Sequence, residues 1–246
     1  MKLPSVEVRD LGRISYLDAL DVQRGLHQEL VAAKLQNRDL PEEERTAPSH
    51  YFIFCEHDPV FTLGRTGDQD HLLLSQEQLT QQNIDFHKTN RGGDITYHGP
   101  GQIVGYPIFD LDYFFTDVHR YVRYIEEAVI RTLDHFQLKG IKIEGFTGVW
   151  LDANSTSPQR KLCAIGIHLS RWVSMHGFAL NVNTELGYFD KIVPCGISTE
   201  DKSVTSIQKE LRRTVDTQEV KALLLRHFSE LFGFEYQFEK ISKSKR

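Results

Sequence analysis

The chain has 246 residues, 29 Lys and Arg against 34 Asp and Glu, a formal net charge of -5 and a pI near 6.1. That balance excludes a general nucleic-acid binder, which needs a basic field to gather phosphates. No run nears the roughly 18 apolar residues of a membrane span. Residues 1–10 lack the apolar core of a secretory signal, and three cysteines fit a reducing, cytoplasmic setting better than a disulfide framework.

The length admits one large domain or two small ones; no linker divides it, so a single domain is expected. Leu17, Leu20, Leu26, Leu30 and Val31 recur at helical spacing and predict a helix over 16–35. Residues 37–49, with Pro41, Pro48 and three glutamates, read as a solvated loop. YFIFC (51–55) predicts a buried strand, followed by a turn at 56–59 in which His57 stands beside Asp58. No second ligand pair follows at metal spacing, so His57 reads as a turn histidine. A short helix over 75–82 and a strand over 84–88 lead into RGGDITYHGPGQIVGY (91–106).

Five glycines in that stretch give backbone freedom and close approach, which suits a binding wall backed by a strand over 103–109. Neither phosphate-loop pattern, GxGxxG or GxxxxGK[ST], occurs. Val118, Tyr121, Val122, Ile125, Val129, Leu133 and Phe136 form one apolar face and predict a helix over 116–136, ended by Lys139 and Gly140. GVWL (148–151) reads as a strand and 152–159 as a polar loop. A hairpin over 161–169 and 173–182 follows, with small residues inside at Ala164, Gly166, Gly177 and Ala179. Such positions mark close approach by another group: an acyl chain, a flat ligand or a packed helix. Asp216 and Glu219 cap a helix closed by Gly233, and 234–238 adds a strand. The basic tail 240–246 reads as a solvated terminus. Strands and helices do not alternate regularly, so the expected class is α+β with a mixed sheet.

Cys55 and Cys163 fall in predicted strands, where cysteine behaves as a small hydrophobe. Cys195 differs: it lies in VPCGI between a proline and a glycine, a turn that can present a thiol and free N–H groups. A nucleophilic thiol needs a lowered pKa. Lys161, His98, His168 and His176 are the candidate basic groups near it.

RGGDITYHGPGQIVGYPIFDL (91–111), KLCAIGIHL (161–169), HGFALNV (176–182) and IVPCGI (192–197), with EHDPVFTLGR (56–65) upstream, resemble the lipoyl(octanoyl) transferase family. The resemblance runs from about 16 to 207. It implies the α+β fold shared with biotin and lipoate protein ligases, and transfer of an octanoyl group through a cysteine thioester. The donor would be octanoyl-acyl carrier protein. The acceptors would be lysines of lipoyl domains, in 2-oxoacid dehydrogenase complexes and in the glycine cleavage H protein.

By the same resemblance Cys195 carries the acyl group and Lys161 lowers the thiol pKa. Substrate would bind Arg91, Gly92, Gly93, Asp94, Ile95, Thr96, Tyr97 and His98, the trio Ala164, Ile165 and Gly166, and the trio Gly177, Phe178 and Ala179. No cofactor, metal or nucleotide is implied, because a thioester is already activated. The rival is an ATP-dependent lipoate or biotin ligase of the same fold, which would form an acyl-adenylate without Cys195; a non-catalytic acyl-binding module is a third reading.

Overall fold

A computed structural model describes residues 3–155, 157–193 and 202–239. In chain order its elements are β1 (Ser5–Ile14), α1 (Tyr16–Arg38), β2 (His50–His57), β3 (Val60–Leu63), α2 (Gln76–Gln81), β4 (Asp85–Lys88), β5 (Ile95–His98), β6 (Gln102–Ile108), α3 (Val118–His135), β7 (Gly140–Ile143), β8 (Phe146–Leu151), β9 (Gln159–Ser170), β10 (Val173–Asn181), β11 (Lys202–Val204), α4 (Ile207–Leu211), α5 (Thr217–Phe232) and β12 (Glu235–Phe238).

The main sheet runs β12-β1-β2-β6-β10-β9-β8-β7, with β11 added alongside β9; a smaller sheet runs β4-β3-β5. β1 is parallel to both its neighbours and β11 is parallel to β9, while the strands from β2 to β7 pair antiparallel. This is the mixed sheet of an α+β protein.

Helices cover both faces of the main sheet, which explains why YFIFC is apolar throughout. Successive strand side chains point to opposite faces. Phe52 and Phe54 join the core beneath α3 and α5, whereas Tyr51, Ile53 and Cys55 join the one beneath α1. The smaller sheet has its own cluster, built on Phe61, Leu63, Leu79, Ile95 and Tyr97.

Several sequence expectations need correction. His57 does not stand in the turn: it closes β2, fully buried, with Nε2 2.7 Å from the Tyr106 hydroxyl and Nδ1 3.0 Å from the Ile14 carbonyl. Gly140 does not stop α3. The helix ends at His135 because Gln137 turns left-handed (φ 59°), and the Leu138 N–H then reaches back to the Leu133 carbonyl at 3.1 Å. Gly140 instead opens β7. β1, β3, β7, β11 and α4 answer to no predicted element, and β5 lies hidden inside the glycine-rich stretch. Asp216 caps α5 by accepting the Gln218 N–H at 2.9 Å, but Glu219 turns to His135 instead of capping back. The tail 240–246 lies outside the described residues.

Candidate active site

The two sheets meet around a cavity of about 340 Å³. One wall is the glycine-rich stretch, Arg91 to Thr96 with His98; the facing wall is the β9–β10 hairpin. The hairpin register sets Ala164 against Ala179, Ile165 against Phe178 and Gly166 against Gly177. Every residue the sequence singled out for substrate lines this space except Tyr97. Tyr97 is buried in the small sheet's core, its ring stacked on Tyr188 with centroids 4.6 Å apart. Tyr16, Gln102, Val104, Phe146 and Asn181 also line the cavity, and sequence reasoning missed them as site residues. Asn181 lies within HGFALNV, so its motif was visible though its part in it was not.

The glycines play a role the sequence left open. At Gly166 a side-chain carbon would stand 2.8 Å from the Gly92 carbonyl oxygen, and at Gly177 one would stand 2.2 Å from the Gly105 oxygen. The group that approaches these positions is therefore neighbouring backbone: at Gly166 it is the facing wall, and at Gly177 it is the adjacent strand β6 of the same sheet. The Gly92 N–H fastens the two walls by donating to the Ile167 carbonyl at 2.8 Å. Gly93 is required for a second reason, its left-handed φ of 84°.

Arg91 is committed to holding the wall in shape. Its buried guanidinium donates to the carbonyl oxygens of Thr62 (2.5 Å), Asp94 (2.8 Å) and Gly92 (3.0 Å). Asp94 accepts the Ile95 N–H at 2.7 Å and pairs with His71 at 2.5 Å. These bonds hold the loop's remaining surface open to the cavity.

Of the basic groups considered, Lys161 and two histidines line the cavity; His168 does not. Burial, then the charges of His57 and Arg91, hold His98 well below the usual imidazole range. Burial, then Arg91, pushes His176 down to about 3. Both rings are neutral at working pH and cannot supply a cation. His176 is also strained, a non-glycine residue at φ 59° beside Gly177. Lys161 sits opposite Trp150 across the β8–β9 pair, its ammonium 4.6 Å from the indole centroid. A cation held against an aromatic face is oriented as well as stabilised.

Cys55 and Cys163 are buried, and burial drives both thiols far above their ordinary range. Neither can act as a thiolate near neutral pH. Cys195, the predicted acyl carrier, lies outside the described residues. The chain on either side is tied down: the Val193 N–H donates to the His71 carbonyl at 2.8 Å, and Val204 of β11 pairs with Lys161. Among the described residues no group of His, Cys, Asp and Glu is placed to hold a metal.

The fold and this cavity define a class. The chain superposes on the bipartite lipoate protein ligase of Thermoplasma acidophilum with a TM-score of 0.66 at 16% identity, covering 99% of this chain and 88% of that one. It matches a lipoate-protein ligase A bound with ATP at the same TM-score and identity, covering 99% and 90%. Residues 16–229 match the lipoyl protein ligase A/B catalytic domain. Sequence relatives narrow the class. The chain is 55% identical to an octanoyltransferase of Cytophaga hutchinsonii, over 93% of each protein. It is 53% identical to one of Christiangramia forsetii, over 95% of this chain and 98% of that protein. The chain therefore belongs to the octanoyltransferase family, the acyltransferases among proteins with a lipoyl protein ligase A/B catalytic domain.

Proposed function

We propose that this chain, acting in the cytoplasm as a single catalytic domain, moves an octanoyl group in two steps. The Cys195 thiolate attacks the thioester carbonyl of octanoyl-acyl carrier protein, and the carrier thiolate departs as a thiol by taking a proton from the Lys161 ammonium, which leaves Lys161 neutral. A lysine amine of a lipoyl domain, in a 2-oxoacid dehydrogenase complex or the glycine cleavage H protein, then attacks the acyl-enzyme. The Cys195 thiolate leaves, and the amine's surplus proton passes to Lys161. One thioester becomes another and then an amide, so no nucleotide or metal has to supply activation.

The observation that carries this reading is the meeting of Lys161 with the glycine-rich wall and the hairpin around one cavity, while both described cysteines are buried and inert. Val104, Ala164 and Ala179, aligned side by side on one face by the β6–β10–β9 register, suit a hydrocarbon chain, worth about 0.8 kcal/mol per buried CH₂. Gly92, Gly93, Asp94, Ile95, Thr96 and His98 form the opposite side, with Arg91 bracing them. The ligase reading is less well supported, since the ligases share the fold at 16% identity whereas octanoyltransferases share more than half the sequence.

The test is mass spectrometry of the purified protein after exposure to octanoyl-acyl carrier protein, without nucleotide. An octanoyl adduct on Cys195, absent in Cys195→Ala, is expected. An adduct on Cys55 or Cys163, or transfer that needs ATP, would overturn the reading.

A further inference from the structure

A buried chain of hydrogen bonds links the Arg91 wall to the Lys161 strand, and from Thr62 onward its donors all point one way. Thr62 Oγ1 accepts from Arg91 Nη2 at 2.9 Å and stands 3.3 Å from His98 Nε2. His98 Nδ1 lies 2.8 Å from Gln102 Oε1. Gln102 Nε2 donates to Asn181 Oδ1 at 2.9 Å and to the Tyr97 carbonyl at 3.1 Å. Asn181 Nδ2 donates to the Thr205 carbonyl at 3.1 Å, and the Thr205 N–H donates to the Lys161 carbonyl at 2.9 Å.

The directions fix one another. Both Gln102 N–H bonds face oxygens, so its own oxygen meets the His98 N–H; His98 Nε2 is then bare and accepts the Thr62 hydroxyl proton. Thr62, His98, Gln102, Asn181 and Thr205 are all buried, so each bond lost would strand a polar group away from water.

We propose that Asn181 is a positioning residue for the acyl transfer: through Thr205 it sets where the Lys161 strand stands relative to the Arg91 wall. The proposal rests on the part assigned to Lys161 above. β11 has three residues, and its last, Val204, both faces Lys161 and lines the cavity. Thr205 follows directly, so the Asn181 amide holds the end of that short strand. It is also the link at which the chain passes from β10 to the segment beside β9. Displacements on the order of 1 Å at such a site cost about 100-fold in rate.

The test compares the parent with Asn181→Asp, which keeps the shape but puts an oxygen where the Thr205 carbonyl needs a donor, and Asn181→Ser, which removes the donor. Hydrogen exchange of the Thr205 amide and single-turnover octanoyl loading of Cys195 are measured in each. Faster exchange, with loading slowed on the order of 10- to 100-fold and donor KM held within about twofold, is expected. Unchanged loading in a variant whose exchange has accelerated would overturn the proposal. So would a loss confined to KM, or failure of both variants to fold, which would make the chain a stability element alone. If the parent itself takes no octanoyl group, the functional reading has failed, and that result is distinct from a parent that loads and variants that load equally well.

Discussion

Lys161 is the residue where one side chain is asked to do two jobs. As a cation it would stabilise the Cys195 thiolate; as a base it would take the incoming lysine's proton. Lys161→Ala should slow alkylation of Cys195 near neutral pH and slow both half-reactions. Lys161→Arg keeps a charge beside Trp150 but cannot act as a base, so loading should survive better than onward transfer. Alkylation rates and single-turnover kinetics in both variants decide it; parental values throughout would leave Lys161 a structural residue. Gly93 offers a second residue-scale test. At φ 84° a side chain costs roughly 1–2 kcal/mol in backbone strain alone, although the nearest atom to its Cβ would be Arg91 Nη1 at a comfortable 3.6 Å. Gly93→Val should therefore lower the urea midpoint and impair loading together, and a variant of parental stability and rate would contradict this.

At the scale of elements, two glycines predict opposite outcomes. Gly177 lies in β10, where an added carbon would meet the Gly105 oxygen at 2.2 Å and Pro107 Cδ at 2.8 Å. Gly177→Ala should destabilise by about 1–3 kcal/mol as the strands are forced apart. Gly25 lies on the exposed side of α1 with nothing within 4 Å of its missing carbon. Gly25→Ala should stabilise by about 1 kcal/mol, since alanine restores helix propensity at no steric cost. Urea titrations of the two variants give both signs in one experiment, and activity should fall only in the first.

At the scale of the whole molecule, acid is the weak flank. Burial holds His50 down to about 4, and burial with Arg91 holds His176 down to about 3. The folded state keeps these imidazoles neutral while the unfolded chain protonates them near pH 6.5. Below that pH the unfolded state binds more protons, so stability falls as pH drops, by up to about 1.4 kcal/mol per pH unit for each ring, and levels off only near the folded values. Thermal unfolding followed between pH 7 and 4 should show a falling Tm. His50→Phe packs among Phe109, Tyr113 and Phe114 and should flatten part of that slope. A slope unchanged by the substitution would remove His50 from the account.

Local chemistry carried much of this protein openly in its sequence. The amphipathic face of α3, the Asp216 cap and Gly233 stop of α5, the β9–β10 hairpin and the doubly apolar β2 follow from side-chain periodicity and backbone preference. The hairpin's turn does not, because Arg171 and Trp172 both take left-handed φ (51° and 63°) against their preference. The motifs that line the cavity were legible because reactive and conformationally special residue types cluster within short windows. Contacts between distant segments were not legible. That Arg91 braces its own wall, that neighbouring backbone presses on Gly166 and Gly177, and that Trp150 lies under Lys161 depend on which strands become neighbours. β1 escaped notice because its pattern is half exposed and its partners, β2 and β12, lie 40 or more residues away along the chain. Composition and spacing decide what each segment can form. Only the packing of the two sheets, which brings β5 beside β6, β9 and β10, decided that a glycine-rich loop and a small-residue hairpin would enclose one space lined by Lys161.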